Sequence, residues 1–80
     1  MPYILKATRP LVESGLVKSA GDLDYYITMA CLRFLKDQGQ CFDTFAKIDG
    51  VLGLVQDEFR RRKIHPYEDV KITENGDVFT

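Results

Sequence analysis

Eighty residues, with 11 lysines and arginines against 12 aspartates and glutamates, give a net charge of −1 and the size of one domain, residues 1–80. So even a balance excludes a dedicated nucleic-acid binder, which carries a basic excess, and no stretch reaches the ~20 apolar residues that span a bilayer. Cys31 and Cys41, with His65 as the one histidine, form no metal-ligand spacing and no disulfide framework, and MPYILKATRP lacks an apolar signal core; two reduced thiols in the cytoplasm are expected.

At the start, Tyr3, Ile4 and Leu5 are apolar enough to dock as an extended arm or a short edge strand. Pro10 suits the first turn of a short helix with Glu13 near its start, and Leu11, Val12, Leu16 and Val17 give it a buried side. Ser19-Ala20-Gly21-Asp22 is a break and a cap. The spacing then predicts a helix over about 23–37, with Leu23, Tyr26, Ile27, Ala30 and Phe34 as its main stripe. Tyr25, Met29 and Leu32 lie on its far side. Gly39 is the natural terminator. The short link 38–42 makes the two long helices antiparallel neighbours.

The second long helix opens with Asp43 as N-cap and Thr44 in its first turn. Phe45, Ile48, Leu52, Val55 and Phe59 recur at steps of three and four, with Arg62 at the edge of that stripe. Leu54 projects about 130° away from it. Ala46, Gly50 and Gly53 form a strip of small residues. The two glycines mark either a helix break or a groove for another backbone, and the unbroken apolar spacing favours the groove. Pro66 disfavours helical geometry at His65, so the helix ends after Lys63. For the tail, Val70 to Glu74, then Asn75-Gly76, then Asp77 to Thr80 read as a β-hairpin on a two-residue turn, Ile72 opposite Phe79. The competing reading is a short helix from Pro66 to Thr73 capped by Asn75-Gly76. The expected fold is mainly α: a short N-terminal segment, two long antiparallel helices and a C-terminal hairpin or hook.

Both long helices carry two apolar faces. A chain this short buries only about 60–65% of its unfolded surface. Either its own ends cover the second faces or copies of the chain do, and a homo-oligomer is expected. Arg60-Arg61-Arg62-Lys63 is the principal candidate for chemistry. Glu58 can pair with Arg62 and Asp57 with Arg61, which makes the run a cationic helix end. In the sharper reading Arg61 and Arg62, with Tyr67 beyond the proline, bind an anion, since arginine grips phosphate in a bidentate way and tyrosine stacks on a base. His65 has no nucleophile in a recognisable pattern, and Gly50-Val51-Leu52-Gly53 lies inside an apolar helix pattern rather than a nucleic-acid loop. No phosphate-loop, nucleophile-elbow or zinc-protease signature is present, and neither an enzyme nor a cofactor is expected.

The segments Met1-Pro2-Tyr3-Ile4, Gly21 to Thr28, Gly50-Val51-Leu52, Glu58-Phe59, Arg61-Arg62, Pro66-Tyr67-Glu68-Asp69 and Asn75-Gly76-Asp77-Val78 run over nearly the whole chain. In them the sequence resembles a small family of uncharacterised domains from bacteria, phages and metagenomes. Asp24 stands where that family usually has asparagine and Arg60 where it has tyrosine; Lys63 and His65 fall outside its pattern. The resemblance implies no particular activity. The function expected from the residues is a non-enzymatic, oligomeric binding protein that holds a small anionic, nucleotide-like ligand between subunits, similar in outline to phage-encoded sponges that sequester nucleotide signals. Arg61, Arg62 and Tyr67 carry the contacts, with Tyr3, Tyr25 and Asp24 as weaker candidates. The alternative is an interaction or inhibitor module that docks on a host or phage protein.

Overall fold

The structure, a computed structural model, describes residues 4–79, so the Tyr3 candidate and the first residues of the expected arm lie outside the described residues. The described residues are helical with no strand: a tight 3-10 turn over Lys6–Thr8, then α1 (Arg9–Glu13), α2 (Ala20–Gln38), α3 (Phe42–Phe59), a wide turn over Arg60–Ile64, and α4 (His65–Asn75). The chain divides into two compact units, Met1–Ile48 and Asp49–Thr80, and α3 contributes to both.

In the first unit α1 is short because its end is specified at once. Leu16 N–H bonds to Leu11 C=O at 3.0 Å and Gly15 N–H to Val12 C=O at 2.9 Å. These are the paired bonds of a Schellman ending, and they need the left-handed backbone that Gly15 adopts at φ +107°. The ending turns the chain toward α2, whose start is capped from both sides. Ser19 Oγ accepts from Asp22 N–H at 3.0 Å, and Asp22 Oδ2 accepts from Lys18 N–H at 3.1 Å. Helix α2 therefore begins at Ala20, three residues before the expected position, and Gly39 ends it as anticipated, at φ +93°.

The face of α2 that meets α1 is not the predicted one. Tyr25, assigned to the far side, is buried, whereas Leu23, Tyr26, Ile27 and Phe34 of the predicted stripe are exposed. The cause is α1, which brings Val12 and Glu13 to that side. A buried tyrosine hydroxyl needs an acceptor, and Glu13 supplies it, 3.0 Å away. The contacts of α2 are with α1, so the expected antiparallel pairing of the two long helices is not supported. Helix α3 starts at Phe42 rather than after an Asp43 cap. Phe45 N–H bonds to Cys41 C=O at 3.1 Å, and Asp43 instead forms a first-turn ion pair with Lys47 at 2.9 Å. Thr44 is buried there, with its hydroxyl 3.4 Å from Cys41 Sγ.

In the second unit the chain is helical from Asp49 to Asn75. Neither glycine breaks α3, and a Cβ at Gly50 or Gly53 would meet nothing within 4 Å. Nor does the helix stop before Pro66. A proline ring in a regular helix clashes with the carbonyl four residues back and offers no N–H. The turn over Arg60–Ile64 is widened instead, so that His65 N–H bonds to Arg60 C=O, five residues back. A turn of this width lets a helix absorb such an interruption, and Pro66 then opens α4 at the position where its missing N–H matters least.

The C-terminal hairpin is likewise corrected to a helix. Asn75 is the last residue of α4 and Gly76, at φ +87°, terminates it with its N–H on Ile72 C=O at 2.8 Å. Asn75-Gly76 thus acts as a helix stop. A lone two-stranded hairpin is marginal in water, and this one would have set Glu74 against Asp77. The helix places Glu68 in its first turn and adds a Lys71–Glu74 ion pair at 3.5 Å.

Candidate functional site

Among the described residues only Val12, Tyr25 and Thr44 are buried, all in the first unit. Every described residue from Asp49 onward is exposed. The candidates for chemistry therefore fall into two separate groups.

The first group surrounds Tyr25. Its hydroxyl donates to Glu13 Oε2 at 3.0 Å, Arg33 donates to Glu13 Oε1 at 3.2 Å, and the Arg9 guanidinium lies 5.8 Å from the centre of the Tyr25 ring. Burial pushes the Tyr25 hydroxyl above its ordinary pKa of 10.0. The hydrogen bond and negative charge of Glu13 push it the same way, against Arg9 and Arg33. Arg9 Nε is buried with no hydrogen-bond partner among the described residues. Asp24, next to Tyr25 in sequence, instead accepts from Thr28 Oγ1 at 3.3 Å on its own helix. Tyr25 is thus a packing residue that fastens α1 to α2, with its polar end occupied. Sequence spacing could not have found this cluster. Glu13 and Arg33 are twenty residues apart, and α1 is too short to show a periodic face.

The second group is the basic run in the wide turn. Arg61 pairs with Glu58 at 3.6 Å, both well exposed. The expected Glu58–Arg62 and Asp57–Arg61 pairs do not form, because the wide turn changes which side chains overlie one another. Arg60, Arg62 and Lys63 have no ion-pair partner among the described residues. Arg62 and Lys63 border a shallow hollow with Leu54, Val55, Glu58 and Phe59. Leu54, predicted to point away from the stripe, shares this hollow with it. Tyr67 borders a different hollow with Lys71, Ile72, Val78 and Phe79, and the Lys71 ammonium lies 5.6 Å above its ring. The two hollows have no lining residue in common, so Arg62 and Tyr67 do not border one hollow. His65 Nδ1 lies 3.4 Å from Glu68 Oε1.

Among the described residues no group of three or more histidine, cysteine, aspartate or glutamate side chains could hold a metal, and no helix is long and apolar enough to cross a membrane. Cys31 and Cys41 are both free thiols, Cys41 exposed. A hydrogen bond from the Thr44 side chain, with the Thr44 backbone N–H behind it, holds the Cys41 thiol below its ordinary pKa of 9.0.

No curated protein and no solved structure matches the chain. One family model does, over residues 1–78, and its description is a domain of unknown function, DUF6899. An uncharacterised family is what the motifs implied, and this chain belongs to it.

Proposed function

We propose that this chain is a non-enzymatic cytoplasmic binding protein that works as a homo-oligomer. Copies meet through the helical segment of the second unit and hold a small anionic, nucleotide-like ligand where their arginines come together. The observation that carries the reading is the total exposure of that segment. Leu54 is 70% exposed, Phe59 59% and Phe79 95%, and every described residue beyond Ile48 is exposed. A helix with no buried face lacks the packing that supplies most helical stability in proteins. Apolar area left in water forgoes about 25 cal/mol per Å². The partner always present at matching concentration is another copy. For the ligand, the support is charge: Arg62 and Lys63 have no ion pair of their own beside an apolar hollow, and a guanidinium is suited to phosphate.

Light scattering at micromolar concentration tests the first half, with a dimer or larger species expected; a clean monomer overturns it. Thermal shift with a panel of nucleotides tests the second. The expected result is a stabilisation that Arg61→Ala abolishes while the oligomer persists. If no nucleotide stabilises the wild type, the ligand is wrong. The apolar tail, with Val78 88% exposed beside Phe79, favours a second reading as a module that docks on another protein. A monomer that binds no nucleotide would favour that one.

A further inference from the structure

The second unit carries its charge in blocks: Asp57-Glu58 acidic, Arg60 to Lys63 basic, Glu68-Asp69 acidic. The His65–Pro66 junction lies midway between the basic block and the second acidic one. Arg62, Lys63 and Asp69 have no ion-pair partner among the described residues. Lay a second copy of this helical segment beside the first in the opposite direction, with a two-fold axis through that junction. Lys63 then comes level with Glu68 of the partner subunit and Arg62 with the partner's Asp69, and the symmetry repeats both. Ile64 comes level with the partner's Tyr67, and Phe59 with the partner's Ile72. The helical overlap, residues 56–75, takes in the exposed apolar positions Phe59, Ile64, Tyr67, Val70 and Ile72.

The other simple arrangements are worse. In a parallel, in-register pair each of the four cations is level with its own copy, and like charges opposed across an interface are repulsive. An antiparallel pair centred at Phe59–Arg60 sets the basic block against Asp57 and Glu58. Glu58 is held by Arg61 much as Glu68 is held by His65, but in that register Ile72 falls outside the overlap of the second unit's helical segment. We infer that the occupant of this face is a second copy of the chain, antiparallel, with its two-fold axis at the His65–Pro66 junction. This rests on the self-assembly reading and fixes its geometry. The four cations point in different directions around the helix. Those turned toward the partner meet its acids, and those turned away remain available to a ligand.

Paired spin labels test the geometry, in protein carrying Cys31→Ser and Cys41→Ser with either Gln56→Cys or His65→Cys. Light scattering on each labelled protein establishes whether it assembles. At 1.5 Å per residue the antiparallel pair separates the two Gln56 positions by about 25–30 Å and brings the two His65 positions within about 10 Å. Short distances at both positions mean a parallel pair, and a distance at Gln56 shorter than that at His65 means the other register; either overturns the inference while leaving self-assembly intact. A monomeric wild type overturns self-assembly itself. A charge exchange checks the same point without labels. Arg62→Glu with Lys63→Glu should weaken self-association about tenfold or more, as should Glu68→Lys with Asp69→Lys, and the four changes together should restore it. Equal weakening without restoration contradicts the pairing.

Discussion

Tyr25 shows how one polar atom decides which helix face is buried. Its ring packs under α1 because the hydroxyl finds Glu13, which Arg33 in turn holds. Removing the carboxylate leaves a buried donor without an acceptor, which is costlier than never having had the bond. Glu13→Ala should lower the thermal midpoint by several degrees, and Tyr25→Phe by less. The alkaline limb gives an independent check. The Tyr25 hydroxyl ionises above 10.0 in the folded chain, so folding is favoured below that value and loses this contribution as pH rises through the folded pKa. An ultraviolet titration should show a tyrosine ionising above pH 10.0 that vanishes in Tyr25→Phe. Its persistence in that variant would place the raised group elsewhere.

Among the elements, the helices with strong local signals were legible in the sequence and those set by competition were not. Ser19 and Gly39 mark their boundaries because caps and left-handed glycines are local chemistry. Pro66 was read as a stop because the rule for the residue before proline treats the preceding helix as regular; one widened turn removes that condition. The Asn75-Gly76 pair serves both a tight hairpin and a helix end, and only the stretch before it decides between them. Pro66 with Glu68 behind it starts a helix that runs to the glycine. The glycines of α3 are the remaining test at this scale. Since a Cβ meets nothing at Gly50 or Gly53, Gly50→Ala and Gly53→Ala should each stabilise the helix by roughly 0.5–1 kcal/mol, read as higher helicity and a higher thermal midpoint. Loss of self-association in these variants would show instead that a partner's backbone passes close to them.

For the whole molecule, the surplus of apolar surface was visible in the sequence as two faces on each long helix, and the structure leaves that surplus in the open. The candidate site was only partly legible. The basic run was evident, but its convergence with Tyr67 was not something local spacing could decide, and the two border separate hollows. The proposed interface between copies would bring these separate features together, and the order of the charge blocks favours an antiparallel one. Amide hydrogen exchange across a range of protein concentrations tests this most directly, because it reports which segment is covered. Amides of residues 52–75 are expected to slow as concentration rises through the micromolar range, with those of α1 and α2 unchanged. Exchange in 52–75 that is fast and independent of concentration would contradict it.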